Sequence, residues 1–514
     1  MVNKSLYALI QSLGKAEKRY IKLYSLKANE KKKSAYLRLF NEISNSEGIR
    51  STVPSLQTLS KKKTNNIQNY LYQLILDALI SFNNDRSISI QLRNILTEVD
   101  ILNDKNLHGQ SLRKLERAEE LANKFELSHF ILEINAKKQA ILIQRSNLFF
   151  TNPRIKEKEL LKSSASQKKA IEDIRLEIEY RELSIFYFAD PFHFSSEERA
   201  VKHLNQFLKS PVANIDSNSL TLDAWTSLYT LKTLGHFFAG KYKEGVKYAR
   251  EGLRILDERY PGIEKEYPIQ VIALIYNYIG YCYFLKQYDE MDFHVEKIKN
   301  ILKLPKANGN IYQKTKWSFN YFIYKYIVGI KTVNLTSIAT QEKEAKTFLA
   351  SNKTLIDPEY SLRLIYLFAY YYFMSGNYKE ATFWLNKIIT GSNPENSPDY
   401  QVQTRILYFI IIFERRKKER LEQAIEQYIE YIEENSINGK FESAILALMN
   451  TLITEQDSTK SLLIKSKKQF IALKNDGAEK KKVDHYFDYV SWIESKIEQK
   501  PFLEIYKKQN GIDK

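Results

Sequence analysis

Histidine and carboxylate side chains are the groups in this chain that could hold a metal ion. None of the seven histidines has another histidine at the i, i+4 spacing of a helical metal site, and no H-E-x-x-H occurs. The one candidate ligand cluster is in DPFHFSSEE, where His193 has Asp190, Glu197 and Glu198 nearby. A loop histidine beside a helix-capping serine such as Ser195 explains this segment better.

Nucleophilic and phosphate-binding signals are equally sparse. The single cysteine, Cys282, lies in the apolar segment YIGYCYF, which predicts a buried structural thiol. One cysteine excludes an intramolecular disulfide and a multi-cysteine zinc site. Neither G-x-x-x-x-G-K-[ST] nor G-x-G-x-x-G occurs. We therefore predict a protein that is not an enzyme and that needs no cofactor or metal.

Basic residues are concentrated at the start of the chain. The net charge is +17, and residues 1–95 contribute +10 of it through sixteen Lys/Arg against six Asp/Glu. Such a segment attracts phosphate backbones or other polyanions, with a steep salt dependence. The candidate polyanion-binding residues are Lys18, Arg19, Lys22, Lys31, Lys32, Lys33, Lys61, Lys62 and Lys63.

Three interpretations of these lysines stay open. They could be solvated helix faces of a lysine-rich protein, a contact for RNA or the ribosome, or a sequence-specific DNA-binding surface. Residues 16–26, 33–43 and 58–82 are predicted to form three helices. Basic residues open the last of them, as the recognition helix of a helix-turn-helix would require.

Two more basic clusters have carboxylates beside them. The first contains Arg415, Arg416, Lys417, Lys418 and Arg420, flanked by Glu414, Glu419 and Glu422. The second is residues 480–482, three lysines followed by Asp484 and Asp488. We predict that local ion pairing accounts for the first cluster and that nearby carboxylates offset the charge of the second.

A two-helix pattern recurs along the chain. Its clearest copy, residues 365–390, consists of an aromatic-rich helix, a Ser-Gly-Asn turn and a second helix. A small residue is expected where the two helices cross, because it allows their axes to approach to about 8–10 Å. The matching positions are 111, 200, 245, 291, 381 and 424, at intervals of 89, 45, 46, 90 and 43 residues. The two long intervals predict degenerate repeats near residues 155 and 336.

The segment 365–390 resembles a tetratricopeptide (TPR) repeat, and weaker copies cover roughly residues 100–435. The period is about ten residues longer than that of the TPR unit. The resemblance implies a helical solenoid whose concave groove binds a protein or peptide. Most aromatic residues of the first helices are expected between repeats, whereas Tyr278 and Tyr281 are the candidates for lining the groove.

The two ends of the chain carry a second resemblance. LIQSLGKAEKRYIKLYS and FDYVSWIESKIEQKPFLEIYK are similar to the ends of an uncharacterised bacterial family of helical-repeat proteins. This resemblance implies an all-α cytoplasmic protein. The longest apolar run has eleven residues, 364–374, against about 20 for a membrane span, and the N-terminus does not fit a secretory signal.

These observations predict an all-α, right-handed TPR-like solenoid with long helices and about eight helix pairs. A basic helical module (1–95) precedes the repeats (96–455) and a C-terminal helical cap (456–514). The predicted function is a non-enzymatic scaffold or adaptor that binds a protein or peptide partner in its groove. The alternative is a nucleic-acid- or ribosome-associated factor that contacts phosphates through the basic module.

Overall fold

Glycine and proline, which most often interrupt helices, number only 16 and 11 in this chain of 514 residues. The computed structural model describes residues 2–26, 30–46, 48, 53–57, 60–83, 87–144, 153–188, 197–216, 219–309, 311–352, 358–391, 398–453, 459–476, 479, 482–483 and 486–512. Throughout these residues the regular structure is helical, without a strand. The predicted all-α class is confirmed.

The N-terminal helices are Lys4–Ser12 (α1), Lys15–Leu26 (α2), Glu30–Ser44 (α3), Pro54–Gln57 (α4) and Lys61–Asn83 (α5). The central helices are Ile88–Asp104 (α6), His108–Lys124 (α7), Ser128–Gln144 (α8), Pro153–Phe188 (α9), Glu197–Lys209 (α10), Leu222–Phe238 (α11), Tyr242–Arg259 (α12), Pro268–Phe284 (α13) and Tyr288–Ile301 (α14). The remaining helices are Ile311–Lys331 (α15), Leu335–Ala339 (α16), Glu342–Ser351 (α17), Pro358–Met374 (α18), Tyr378–Ile389 (α19), Pro398–Glu414 (α20), Lys418–Glu434 (α21), Lys440–Ile453 (α22), Thr459–Lys474 (α23), Tyr489–Glu498 (α24) and Phe502–Asn510 (α25). None of these helices combines the length and the apolar character that crossing a membrane requires.

The chain divides into two compact units. Unit 1 contains residues 1–281 and 303–312, and unit 2 contains residues 282–302 and 313–514. Within each unit, helices that follow one another in sequence pack together, for example α6 on α7 and α11 on α12 in unit 1, and α18 on α19 and α20 on α21 in unit 2. This sequential packing is what repeated helix pairs require.

A common turn joins the paired helices. After α11, the Lys241 N–H donates to the His236 carbonyl (2.9 Å) and the Gly240 N–H donates to the Phe237 carbonyl (3.1 Å). The same two bonds follow α13, α18 and α20. Together with a left-handed residue at the turn, these two hydrogen bonds form a Schellman motif, which satisfies the last carbonyls of the helix.

Left-handed residues give the repeat its observed spacing. From α11 to α21, those directly before the second helix of a pair stand at positions 240, 286, 333, 376 and 416, which are 46, 47, 43 and 40 residues apart. These intervals are close to the 45 or so expected from the sequence. Asn106 has the same place before α7. The second helix of each pair therefore begins at a nearly constant interval, as the pattern of crossing residues indicated.

The crossing residues inferred from sequence are buried, namely Ser111, Ala200, Gly245, Met291, Ala381 and Ala424. Four of them, at positions 111, 245, 291 and 381, lie five residues after a left-handed turn residue. Ala424 does not share this register, because the fifth residue after Arg416 is Leu421. The sequence alignment of that repeat was therefore wrong by three residues.

The two degenerate repeats expected near residues 155 and 336 are not regular helix pairs. Near 155 the chain forms one helix of 36 residues, α9, which packs on both α8 and α11 in place of a helix pair. Near 336 the second helix is split into α16 and α17. Ile338 occupies the crossing position there. Gly329 of α15 leaves room for its side chain, because a Cβ at position 329 would lie 2.7 Å from Ile338 Cδ1.

The basic N-terminal helices have a core of their own. Its buried residues are Leu6, Ile10, Leu13, Ile21, Leu39, Phe40, Ile43, Val53, Leu56, Leu71, Leu74, Ile75 and Ala78. The next hydrophobic cluster begins at Leu92, on α6. The change of core therefore falls between Ala78 and Leu92, slightly before residue 95, where the sequence suggested a boundary. We refer to α1–α5 as the basic module.

In unit 2 the C-terminal segment lies against the first helices of two repeats. The Phe487 ring is 5.4 Å from the Tyr370 ring and 5.5 Å from the Phe373 ring, both on α18. The Trp492 indole N–H donates to Glu414 Oε1 on α20 (2.7 Å). Trp492 and its neighbour Tyr489 are fully buried. The aromatic face of α18 is thus covered by residues 487–502 of the same unit.

Candidate polyanion-binding site

Helix α2 presents a row of cations to an open cleft. The cleft has a volume of about 390 Å³, and the described residues that line it are Lys15, Lys18, Arg19, Lys22 and Leu23. The cations are spaced i, i+3, i+4 and i+7, so they share one helix face over about 10 Å. Three of the predicted polyanion-binding residues are therefore brought together here, and Lys15 joins them.

The opposite face of α2 fixes the orientation of these cations. Ile21 is buried in the module core. The Tyr20 hydroxyl is hydrogen-bonded to Ser81 Oγ (2.8 Å), and the Tyr20 and Phe82 rings are 5.1 Å apart. These contacts hold α2 on the C-terminal end of α5. On the other face of the helix Lys15, Arg19 and Lys22 are exposed, and Lys18 is partly buried.

The cations of the basic module are not neutralised within it. Of the described lysine and arginine side chains of α1–α5, none forms an ion pair. The acidic residues are engaged elsewhere: Glu17 accepts from the Gly14 N–H (2.7 Å), and Glu42 accepts from the Ser55 N–H (3.0 Å). Partial burial and the neighbouring Lys22 charge lower the pKa of Lys18, as expected for crowded cations without a counter-charge.

The remaining predicted cations do not join this cleft. Lys62 and Lys63 are exposed at the start of α5. Nineteen residues of continuous helix separate Lys62 from Ser81, which contacts α2, and this corresponds to roughly 28 Å along the helix axis. The basic module therefore has at least two separate cationic positions. The side chains of residues 31–33 and of Lys61 lie outside the described part of the structure.

The predicted groove tyrosines are buried in unit 1. Tyr278 and Tyr281 are 1% and 0% exposed. Arg250 donates to the Tyr278 hydroxyl (Nη2–Oη 3.0 Å), and the Tyr281 hydroxyl donates to the Thr233 carbonyl. Both hydroxyls, which we expected to meet a ligand, are used inside the protein instead.

The basic turn between α20 and α21 differs from its predicted environment. Glu414 pairs with Lys496 and accepts from Trp492, both on α24. In the described residues no ion pair joins the cluster of Arg415, Arg416, Lys417 and Arg420 to its flanking glutamates. For these four cations the expectation of local ion pairing was wrong, and Glu414 pairs with the C-terminal segment instead. The side chain of Lys418 lies outside the described part of the structure.

The third basic cluster is neutralised where it can be described. Lys482 pairs with Glu442 (2.8 Å) and with Glu479 (3.6 Å). Its partners thus include a buried carboxylate on α22 that sequence reasoning did not identify. Lys480, Lys481 and Asp484 lie outside the described residues.

Three carboxylates in unit 1 have raised pKa values. Loss of water around the carboxyl group is the main cause at Asp173, which is buried, at Glu177, which is partly buried, and at Asp223. Glu126 accepts from the Leu222 N–H and from the Tyr260 hydroxyl, both at 2.6 Å. These bonds connect the α7–α8 turn to the start of α11 and the end of α12, which is a structural role.

The structure describes only some of the residues that could act as nucleophiles or metal ligands. Cys282 is fully buried, as predicted for a structural thiol. His193 and Asp190 lie outside the described residues. Within the part of the chain that is described, no group of three or more His, Cys, Asp or Glu side chains is arranged to hold a metal ion.

Two features of the basic module escaped sequence reasoning. Lys15 belongs to the cationic face, and its spacing to Lys18 and Arg19 was a readable signal. Tyr36 and Tyr70 form a stacked pair with ring centroids 4.5 Å apart. No sequence signal marks this pair, since its members are 34 residues apart on two helices.

Searches of protein-family models, curated proteins and solved structures found no match to this chain. The TPR resemblance and the resemblance of the two ends to a bacterial helical-repeat family therefore stay predictions.

Proposed function

We propose that this chain is a non-enzymatic helical-repeat protein that binds nucleic-acid phosphates through its basic module. The supporting observation is the α2 cleft, where Lys15, Lys18, Arg19 and Lys22 share one face without a counter-charge. Phosphates spaced along a strand are the natural counter-charges for such a row. A right-handed solenoid of about eight helix pairs and a cytoplasmic location belong to the same proposal.

The competing function, a peptide-binding adaptor, has less support. Its candidate groove residues, Tyr278 and Tyr281, are buried. The aromatic face of α18 is covered by the C-terminal segment. We therefore place phosphate binding first, and protein partners become the next candidates if it fails.

The test compares two full-length variants that lose equal charge. The site variant carries Lys15→Gln, Lys18→Gln, Arg19→Gln and Lys22→Gln. The control carries Arg415→Gln, Arg416→Gln, Lys417→Gln and Arg420→Gln, which removes four cations from the other unpaired cluster. Glutamine keeps helix propensity, and circular dichroism checks the fold.

Binding is measured by fluorescence anisotropy on labelled RNA and duplex DNA from about 50 to 300 mM salt. We expect the site variant to bind at least about tenfold more weakly. The slope of its log affinity against log salt concentration should be smaller in magnitude by about 3, since each phosphate contact contributes about 0.7–0.9 to that slope. The control should match the wild type. Equal losses in the two variants, or no salt-sensitive binding by the wild type, would overturn the proposal.

A further inference from the structure

An aromatic pair lies on the surface of the same basic module. The Tyr36 and Tyr70 rings are 4.5 Å apart with 29° between their planes, and Tyr70 is 48% exposed. Burial, together with the adjacent Tyr70, raises the pKa of Tyr36. The half-exposed Tyr70 ring, held against the Tyr36 ring, is a rigid platform.

A cation stands close to this platform. Lys63 and Tyr70 are both exposed on α5 and seven residues apart, which places them on one helix face about 10 Å apart along the axis. Asn66, also exposed, lies between them. The nearest described carboxylate further along that face, Asp77, accepts a hydrogen bond from Gln73 (2.9 Å). The face thus offers an aromatic surface and a positive charge in line.

This combination discriminates between forms of nucleic acid. Proteins that bind single strands without sequence preference pair a cationic track with aromatic side chains on which bases stack. A duplex keeps its bases stacked on one another, so an exposed tyrosine on a helix surface has no base face to contact. Cations alone, by contrast, bind both forms.

We propose that Tyr70, supported by Tyr36, stacks on an unpaired base while Lys63 contacts a nearby phosphate, so that the ligand of the basic module is single-stranded nucleic acid. This inference rests on the proposed function, and it assigns a substrate class to that module. It also gives a role to the start of α5, which is separate from the α2 cleft.

The test uses three probes with the full-length protein. They are a thymidine oligonucleotide of about 12 nucleotides, an abasic oligomer with the same number of phosphates, and a duplex of that length. The variants are Tyr70→Leu and Tyr36→Leu, with Tyr70→Trp as a conservative change that keeps a stacking ring. Tyr312→Leu is the control, because Tyr312 is an equally exposed tyrosine (52%) outside the basic module.

We expect the wild type to prefer the thymidine strand to the duplex. Tyr70→Leu should weaken binding to that strand by roughly 5- to 150-fold, the range measured for loss of one base–aromatic stack. Binding to the abasic oligomer should not change, Tyr70→Trp should restore affinity, and Tyr312→Leu should have no effect. Tyr36→Leu should weaken strand binding less, through loss of support.

Two results would overturn the stacking inference alone: tighter binding to the duplex, or salt-sensitive binding that Tyr70→Leu leaves unchanged or reduces equally on the abasic oligomer. Failure of the wild type to bind any probe would overturn the proposed function as well. The two failures are therefore distinguishable.

Discussion

At the scale of single residues, one glycine decides how two helices meet. Gly245 on α12 faces the ring of Tyr281 on α13, and a Cβ at position 245 would lie 2.5 Å from Tyr281 Cε1. The sequence identified Gly245 as a crossing residue and Tyr281 as a groove residue. The structure shows why these two assignments conflict: the glycine is small so that the tyrosine can be buried against it.

Gly245→Ala should therefore destabilise unit 1. Overpacking costs about 1–3 kcal/mol, and the better helix propensity of alanine returns up to about 1 kcal/mol. We expect a net loss in the free energy of unfolding, measured with urea. Gly252→Ala on the same helix is the matched control, because its nearest contact, Tyr229 Cδ1, is 3.2 Å away. Equal stability of the two variants would contradict the assigned contact.

At the scale of elements, the turns between helices carry strain. The left-handed conformation suits glycine, which occupies it at 240 and 376, but Lys286, Val333 and Arg416 adopt it as well. A β-branched residue with φ of 56°, as at Val333, is unusual. Both Schellman bonds hold Lys286 and Arg416 in place, and the Val333 N–H donates to the Ile330 carbonyl (3.2 Å).

Val333→Gly should stabilise the protein. Removing the Cβ relieves a left-handed conformation that costs about 1–2 kcal/mol in an L-residue, and the greater freedom of glycine in the unfolded chain offsets part of this gain. We expect a higher thermal midpoint. Thr332→Gly, one residue earlier and outside the left-handed region, should lower it. A lower midpoint for Val333→Gly would mean that the turn is not strained.

The sequence predicts the helices more completely than the conformation of the turns between them. The helices were readable because the apolar spacing is regular and prolines mark starts such as Pro358 and Pro398. The turn at residues 375–377 was readable from its glycine, but the left-handed conformation of Lys286, Val333 and Arg416 was not, since these residue types give no sign of it. The cationic face of α2 was readable from its spacing. The Tyr36–Tyr70 pair depends on tertiary packing, which no local pattern encodes.

At the scale of the whole molecule, long-range contacts complete unit 2. The sequence predicts a C-terminal helical cap over residues 456–514. Within the described part of that segment, fully buried aromatic residues, among them Tyr489 and Trp492, pack against α20. The aromatic residues of α18 and of the C-terminal segment are visible in the sequence. Their contact, across more than a hundred residues of chain, is not.

Trp492→Ala should weaken unit 2 strongly. Truncating a fully buried tryptophan costs about 3–5 kcal/mol, and here it also removes the 2.7 Å hydrogen bond to Glu414. We expect early unfolding in urea, with increased binding of a hydrophobic dye as the face of α18 is uncovered. Phe293→Ala, at a side chain that is 68% exposed, should change stability little. Similar stability of the two variants would show that the segment contributes little.

The cover over α18 has a consequence for protein synthesis. Phe373 emerges from the ribosome 114 residues before Phe487, its partner. At about 5–20 residues per second, this interval lasts about 6–23 s. Throughout it the aromatic face of α18 lacks its cover, and unit 2 reaches its final packing only once residues 487–502 have been made. The last folding step of this unit thus waits for the segment that follows α23.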